Sequence, residues 1–264
     1  MPTANLGTRS LYYERRGSGE PLLLIQGMAG HTRIWGEPFL TELARSFDVV
    51  TLENRGIGES TDVPGDFTIV DLAEDAVALL DDLGWDDAHV AGVSMGGMIA
   101  QELVLRHPAR VRRLVIACSY CGGEGASFRA SGPMRMMTAM NTGDVEQAVR
   151  AGYVSNFSAT FAADERNYEP FKAAALSVAT PPNVIMRQAK ASFAHDTSAR
   201  LGGIEAPTLI IHGDEDNMLE YANSQLIAKL MPTATFHTFE DTGHMLWWEH
   251  PRESAALIRQ HCLG

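Results

Sequence analysis

Apolar runs and helical patterns alternate regularly through the first 117 residues. Uninterrupted apolar runs predict strands that are buried on both faces, at 21–25, 47–52 and 111–117. Between them, 37–45 and 70–83 repeat apolar residues at helical spacing, and Gly84 ends the second helix. The residues at 9–14 alternate polar and apolar side chains, which predicts an edge strand. This alternation indicates a parallel sheet covered by helices on both faces.

The pattern changes between about residues 121 and 203, where no run is typical of a strand. Four helices are predicted there, at 133–140, 144–153, 165–178 and 183–194, and glycine and proline residues separate them. Strands and helices then resume at 207–212, 221–230 and 235–239, with a final helix from Pro251. We therefore predict a core domain formed by 1–120 and 204–264, interrupted by a helical insertion at 121–203, which we call the insertion.

A serine lies between a predicted strand and a predicted helix in the segment 86–101. Ser94 is the centre of the sequence GVSMG at 92–96, and an apolar helical pattern follows at once. Small residues allow a sharp turn that exposes the hydroxyl at the end of a strand, which favours a nucleophile. The alternative is a glycine-rich turn with an ordinary surface serine, and this short sequence alone does not decide between them.

Acidic residues and a histidine follow the two last predicted strands. HGDED at 212–216 comes after one strand, and EDTGH at 240–244 comes after the next. A serine nucleophile needs a base, and the base needs a carboxylate on its other nitrogen. Both segments lie at the carboxyl edge of the sheet, as does Ser94, in the order serine, acid, histidine.

Composition limits the classes of partner. With 264 residues, 45% hydrophobic and 20% charged, the chain is typical of one large or two small globular domains. The net charge of −12 disfavours nucleic acid and anionic membranes as partners. No segment is typical of a signal peptide or a transmembrane helix, so we expect a cytoplasmic protein.

Cysteine usage adds little to this picture. Three cysteines do not form a disulfide framework, and Cys118 and Cys121 have the spacing of a redox motif without a second pair. We expect no redox or metal role for them.

These motifs together resemble the α/β-hydrolase family over nearly the whole chain outside the insertion. The resemblance rests on Gly27 and Met28, on RGIGES at 55–60, on GVSMG, on GDED at 213–216 and on the pair 243–244. It implies a mostly parallel, eight-stranded α/β sheet, with the insertion as a helical cap. It also implies Ser94 as nucleophile, His244 as base and Asp216 as the orienting acid, in preference to Asp214 and Glu215.

The same resemblance implies an oxyanion hole of two backbone N–H groups. One belongs to Met95, the residue after the nucleophile, and the other to Met28. The chain departs from the family in having Gln26 where a histidine usually precedes the glycine. That change leaves the backbone donor in place but alters the hydrogen-bond network behind the loop.

The serine narrows the activities that the family suggests. Dehalogenases and epoxide hydrolases of this fold use an aspartate at this position, which disfavours both. Carboxylesterases, lactonases, C–C bond hydrolases and cofactor-free perhydrolases remain, and the segments 92–101, 106–108 and 111–114 are most similar to the 3-oxoadipate enol-lactonase group. We expect a small-molecule ester or lactone as substrate, with no metal and no organic cofactor. The alternative from another class is a hydrolase scaffold that acts as a ligand receptor.

Methionine and aromatic residues in the insertion suggest an apolar pocket for a medium-sized group. They are Met134, Met136, Met137, Met140, Tyr153, Phe157, Phe161, Phe171 and Phe193, and Trp247 and Trp248 follow the predicted base. Adaptable methionines favour a broad substrate range. The predicted lining residues are Gln26, Met137, Met140, Phe157, Phe161 and Trp247. The alternative, that these side chains only pack helices against the core, holds for most of the larger set.

Overall fold

The structure, a computed structural model, describes residues 3–178 and 180–264. Eight strands form one sheet in the order β1-β2-β4-β3-β5-β6-β7-β8. Their bounds are β1 (Thr3–Asn5), β2 (Ser10–Arg16), β3 (Glu20–Ile25), β4 (Phe47–Leu52), β5 (Ala88–Val93), β6 (Val111–Ala117), β7 (Thr208–Gly213) and β8 (Thr235–Phe239). The strands β1 and β2 pair antiparallel, as do β2 and β4, and every other pair is parallel. The predicted mostly parallel α/β sheet is confirmed.

One strand was missed, and the prediction of an edge strand at 9–14 was wrong. The strand β2 pairs on both sides, with β4 through Tyr13 opposite Leu52 and with β1 through Tyr12 opposite Thr3. The edge is β1, whose three residues are too few to show a period along the sequence.

Helices occupy the intervals between the strands. They are α1 (Glu37–Leu43), α2 (Ile69–Asp82), α3 (Met95–Arg106), α4 (Ser131–Met140), α5 (Val145–Asn156), α6 (Ala159–Ala163), α7 (Tyr168–Ala175), α8 (Pro182–Phe193), α9 (Tyr221–Leu230), α10 (Leu246–Glu249) and α11 (Pro251–Leu263). The residues at the start of α2 show why that helix begins there. Thr68 and Asp71 form a capping box there, which satisfies backbone N–H groups that a helix leaves without partners.

Two apolar clusters lie on opposite faces of the sheet, because successive strand side chains point to opposite sides. Along β3, Leu23 and Ile25 join the cluster that contains α2 and α3. Leu22 and Leu24 join the cluster that contains α1 and α11. Each of these side chains is fully buried, and burial of one such side chain stabilises the fold by about 2 kcal/mol.

Between β6 and β7, the described residues form helices and no strand. The predicted helices at 144–153 and 183–194 correspond to α5 and α8. The prediction at 165–178 differs more, because a 3-10 turn at Glu165–Asn167 precedes α7, and α7 ends at Ala175. The short helix α6 was missed, and the boundaries 121–203 stay a prediction. No helix within the described ranges is both long and apolar enough to cross a bilayer.

Candidate active site

Ser94 lies in the sharp turn between β5 and α3, with φ 57° and ψ −123°. This backbone conformation is strained for a residue with a side chain, and strain of this kind is concentrated at functional sites. Glycines make the turn possible, since a Cβ on Gly92 would lie 2.1 Å from the Gly96 carbonyl oxygen. The Ser119 hydroxyl donates a 2.8 Å hydrogen bond to the Ser94 carbonyl, which further fixes the turn.

His244 and Asp216 meet at the carboxyl edge of the sheet. The His244 Nδ1 atom lies 2.6 Å from Asp216 Oδ2, and the Asp216 carboxylate is completely buried. Their loops approach closely, because a Cβ on Gly213 would lie 2.3 Å from the Thr242 carbonyl oxygen. A glycine at 213 is therefore needed for these two loops to pack together.

The Asp216 carboxylate is held from several directions. Its Oδ1 accepts hydrogen bonds from the backbone N–H groups of Met218 (2.7 Å) and Leu219 (2.9 Å). Its Oδ2 also lies 2.9 Å from His212 Nε2. Burial raises the pKa of Asp216, but the charge of His244 and the hydrogen bonds from His212 and His244 outweigh it, so the pKa lies well below its ordinary value. The carboxylate therefore stays ionised and able to orient His244.

The loop after β3 forms a tight turn that contains Met28. The Gly30 N–H donates a 3.1 Å hydrogen bond to the Gly27 carbonyl, and Ala29 has φ 61°. Residues of α8 and the segment before it hold this turn. Gln188 Oε1 accepts a 2.8 Å hydrogen bond from the Ala29 N–H, and the Thr180 hydroxyl donates a 3.3 Å bond to the Ala29 carbonyl.

Gln26 folds back beneath the same turn. Its side-chain Oε1 accepts a 3.1 Å hydrogen bond from the Gly27 N–H. A Cβ on Gly30 would lie 2.8 Å from that oxygen, so Gly30 leaves the space that the amide occupies. The Gln26 side chain thus accepts a hydrogen bond from the backbone of the loop that contains Met28.

Ser94 and His244 face one cavity of about 660 Å³, a volume that suits a small organic ligand. Among the described residues, no hydrogen bond joins the Ser94 hydroxyl to His244. Such catalytic bonds are often long in free enzymes and tighten when substrate binds. Met95 begins α3, so its N–H has no partner within the helix.

Half of the predicted lining residues border the cavity. Gln26, Met140 and Trp247 do so, together with others that the prediction left out, such as Met136 and Phe171. The other three are not among the residues that line it. Met137 is half exposed to solvent. Phe157 is buried and stacks on Phe161 with ring centres 4.7 Å apart, which ties both rings to the aromatic core of the insertion.

The two neighbouring cysteines are poor nucleophiles. Both are buried and free, and burial is the largest cause that raises the pKa of Cys121 to about 12 and that of Cys118 well above its ordinary value. Both therefore stay protonated at neutral pH. Ligand-type atoms of Cys118, His212 and Asp216 lie within 4.8 Å of one another. Since Asp216 already accepts hydrogen bonds from two histidines, this cluster is a support for the carboxylate.

Sequence reasoning missed two residues of this site. One is His212, which directly precedes Gly213 at the end of β7. Its Nδ1 lies 2.6 Å from the Ser224 hydroxyl, which fixes the ring beside Asp216. No signal in the sequence indicated Gln188, because its partner Ala29 lies 159 positions away along the chain.

Comparison with known proteins agrees with this architecture. Residues 20–184 and 185–251 match the family described as alpha/beta hydrolase fold. The putative carbamate hydrolase RutD of Azorhizobium caulinodans is 32% identical over 89% of this chain and 88% of its own length. Est816, solved as an N-acyl homoserine lactone degrading enzyme, is 30% identical, covering 98% of this chain and 99% of its own, with a TM-score of 0.80. The enol-lactonase of Burkholderia xenovorans LB400 shares the fold at 22% identity, with full coverage of both chains and a TM-score of 0.84.

Proposed function

The chain belongs to the α/β-hydrolase fold family, and we propose that it is a serine hydrolase that cleaves carboxylic esters or lactones through an acyl-enzyme. One observation carries the proposal. Ser94, in a strained turn, faces the same cavity as His244, whose Nδ1 lies 2.6 Å from the buried carboxylate of Asp216. This is the arrangement that a serine nucleophile requires.

The proposed reaction has two halves. As Ser94 Oγ attacks the substrate carbonyl, His244 Nε2 takes the hydroxyl proton, and the carbonyl oxygen becomes an oxyanion. The backbone N–H groups of Met28 and Met95 stabilise that oxyanion, helped by the N-terminal end of α3. When the C–O bond breaks, His244 gives its proton to the leaving alkoxide. His244 then takes a proton from water as the water oxygen attacks the acyl-enzyme carbonyl. When the bond between that carbon and Ser94 Oγ breaks, His244 returns the proton to Oγ, and the acid and free Ser94 are released.

Asp216 acts through His244 in this proposal. Its Oδ2 accepts the Nδ1 proton, which leaves Nε2 unprotonated toward the cavity and stabilises the imidazolium that forms. The ionised state of Asp216 supports this role. In D-to-N substitutions of this kind the histidine adopts the wrong tautomer, so the acid is needed for more than position.

The insertion is proposed as the cap that selects the substrate. Residues of α4, α5, α7 and α8 line the cavity, with Met136, Val149, Phe171 and Ile185 as examples. Their apolar character favours a medium-sized acyl or alcohol group. Est816 degrades a lactone, which supports the lactonase version.

A carbamate is the second candidate substrate, because the 32% identical relative RutD is a putative carbamate hydrolase. The same nucleophile, base and oxyanion hole would act on a carbamate carbonyl. C–C bond hydrolysis and perhydrolysis also use this chemistry and remain alternatives within the same site.

The test is steady-state hydrolysis of p-nitrophenyl esters from acetate to decanoate, with a lactone and a carbamate ester followed separately. We expect Ser94→Ala to lose at least about 10⁴-fold in kcat/KM. Ser177→Ala, which changes an exposed serine of the insertion, is the matched control and should keep wild-type rates. A Ser94→Ala enzyme within tenfold of wild type would refute the serine mechanism. If wild type cleaves none of these substrates, the ester and lactone proposal fails, and C–C bond hydrolysis or a ligand receptor takes its place.

A further inference from the structure

Besides the proposed base His244, the described wall of the cavity beside Ser94 has no side chain with a permanent charge. Most of its lining residues are apolar, and the described set includes no lysine, arginine, aspartate or glutamate. The polar members include Gln26, Asn156 and Thr180, which carry no charge. An acyl chain in this space would therefore meet methionine, valine and phenylalanine side chains.

His31 lines the cavity just after the loop that contains Met28, and it does not supply a positive charge. His31 is 3% exposed, and burial, with a smaller effect of Arg33, lowers its pKa to about 4. At neutral pH the ring is therefore neutral. Its place in the lining thus adds a polar group but no counter-ion.

Cations on the helices around the cavity are engaged by other groups of the chain, and Arg135 of α4 donates to the Val154 carbonyl. On α8, Arg187 pairs with Asp62, and Lys190 pairs with Asp66. On α7, Lys172 pairs with Glu146. None of these cations lines the cavity, so none is placed to receive an anionic substrate group.

An anionic substrate would pay a desolvation cost in this cavity. A carboxylate moved out of water without a positive partner is strongly disfavoured. The net charge of −12 also repels anions as they approach the protein. Both effects act in the same direction.

We propose that the enzyme takes substrates whose enclosed acyl part is uncharged, and that it rejects esters and lactones that bear a carboxylate there. The inference rests on the proposed serine hydrolase function, but it goes beyond it by naming the charge class of the substrate. The absence of a counter-ion at α4 and α5 is the cause of the selectivity.

The test compares two p-nitrophenyl esters of nearly the same shape. One is the monoester of adipic acid, which carries a terminal carboxylate, and the other is the 6-methylheptanoate, whose terminal isopropyl group replaces that carboxylate. Rates with Ser94→Ala give the background. We expect kcat/KM to be at least about 100-fold lower for the anionic ester, since each 1.4 kcal/mol of desolvation contributes a factor of ten. A ratio below tenfold would overturn the proposal.

Two neighbouring methionines provide a matched pair of variants. Met136 lines the cavity, whereas Met137 is 51% exposed and does not. Met136→Lys should raise the rate ratio of anionic to neutral ester at least tenfold, because it supplies a counter-ion. Met137→Lys adds the same charge to the same helix and should leave the ratio within twofold of wild type. If both variants give the same ratio, the counter-ion explanation is overturned.

Different results would overturn the proposed function and the proposed charge class. If wild type cleaves both esters equally well and Ser94→Ala cleaves neither, the proposed function stands and the charge class is wrong. If wild type cleaves neither this pair nor the esters and lactone of the first test, or if Ser94→Ala keeps the activity, the proposed function fails and the charge class fails with it. If wild type cleaves those other substrates but neither ester of this pair, the charge class alone fails.

Discussion

Two parts of the insertion border the same cavity but are held in different ways. The helix α8 bonds directly to the core, since Gln188 accepts from the Ala29 N–H and Arg187 donates to the carbonyls of Val63 (2.7 Å) and Gly65 (3.0 Å). Arg187 also lies over the Phe67 ring at 5.4 Å. The Gln188 bond fixes α8 against the loop that contains the proposed oxyanion donor, and the Arg187 contacts fix it against the segment between β4 and α2.

The turn between α4 and α5 is held by contacts within the insertion. In the described residues from 137 to 148, side-chain hydrogen bonds and ion pairs reach partners within the insertion, such as Tyr168 and Lys172 with Glu146. Met134, Met137 and Met140 of α4 are all more than 40% exposed. Exposed, unbranched side chains of this kind adapt to different partners. We infer that the fixed part, α8, serves the proposed chemistry, and that the adaptable part, α4 with the turn before α5, serves the choice of substrate.

The largest expected effect comes from removing the bond between α8 and the oxyanion loop. Gln188→Ala leaves the Ala29 N–H without its acceptor and loosens the turn that carries Met28. We expect kcat to fall about 100-fold for every ester, with KM nearly unchanged, because an oxyanion donor acts mainly in the transition state.

Met186→Ala is the matched control, since Met186 lies on the same helix and is 68% exposed. Its kcat should stay at the wild-type value. Melting curves recorded for both variants separate a loss of fold from a loss of positioning. If Gln188→Ala retains kcat within twofold, or loses activity only by raising KM, the positioning role is refuted.

A smaller effect is expected when the pH is lowered. The loss of stability should arise in the insertion near the end of α8. His195 is 5% exposed, and burial, with a smaller effect of Arg200, lowers its pKa to about 4. Because the unfolded chain binds the proton more tightly, the stability contributed by neutral His195 is complete above about pH 6.5 and is lost as the pH falls toward 4. Urea unfolding measures the free energy of unfolding at each pH. Between pH 7 and pH 4.5 we expect it to fall by about 2 kcal/mol less in His195→Gln than in wild type.

Hydrogen exchange can locate the same effect. Lowering the pH to 5 should reduce protection in α8 more than in α4 and α5, after correction for the intrinsic exchange rate. Equal changes in the two regions, or equal pH dependence of the variant and wild type, would contradict this assignment.

The smallest effect should come from the adaptable part. Met140→Ala removes one apolar contact from the cavity, and we expect kcat/KM for decanoate to fall about fivefold, in line with roughly 1 kcal/mol of buried apolar area. The acetate rate should not change. Met137→Ala, outside the cavity, should leave both rates at wild type, and a loss that is uniform across chain lengths would contradict the division into two parts.

Local patterns predicted the positions of Ser94, Asp216 and His244, since each follows a strand whose apolar run is visible in the sequence. Packing between distant segments was not predictable in this way. The aromatic pair Phe157 and Phe161 could equally belong to a pocket or to a core, and only the fold decided for the core. The bond between Gln188 and Ala29 depends on a loop and a helix that are far apart along the chain. Roles for the three proposed catalytic residues stay predictions until the substitutions are made.

The uncharged wall of the cavity has a consequence for the end of the reaction. Ester hydrolysis converts a neutral acyl group into an acid that ionises at neutral pH. The new carboxylate lies beside His244 and the proposed oxyanion donors, and no lysine or arginine of the described wall is placed to hold it further. Product would therefore leave readily, and the accumulated acid would be a weak inhibitor. The same wall would raise the concentration of free acid at which the reverse reaction, formation of an ester, approaches saturation.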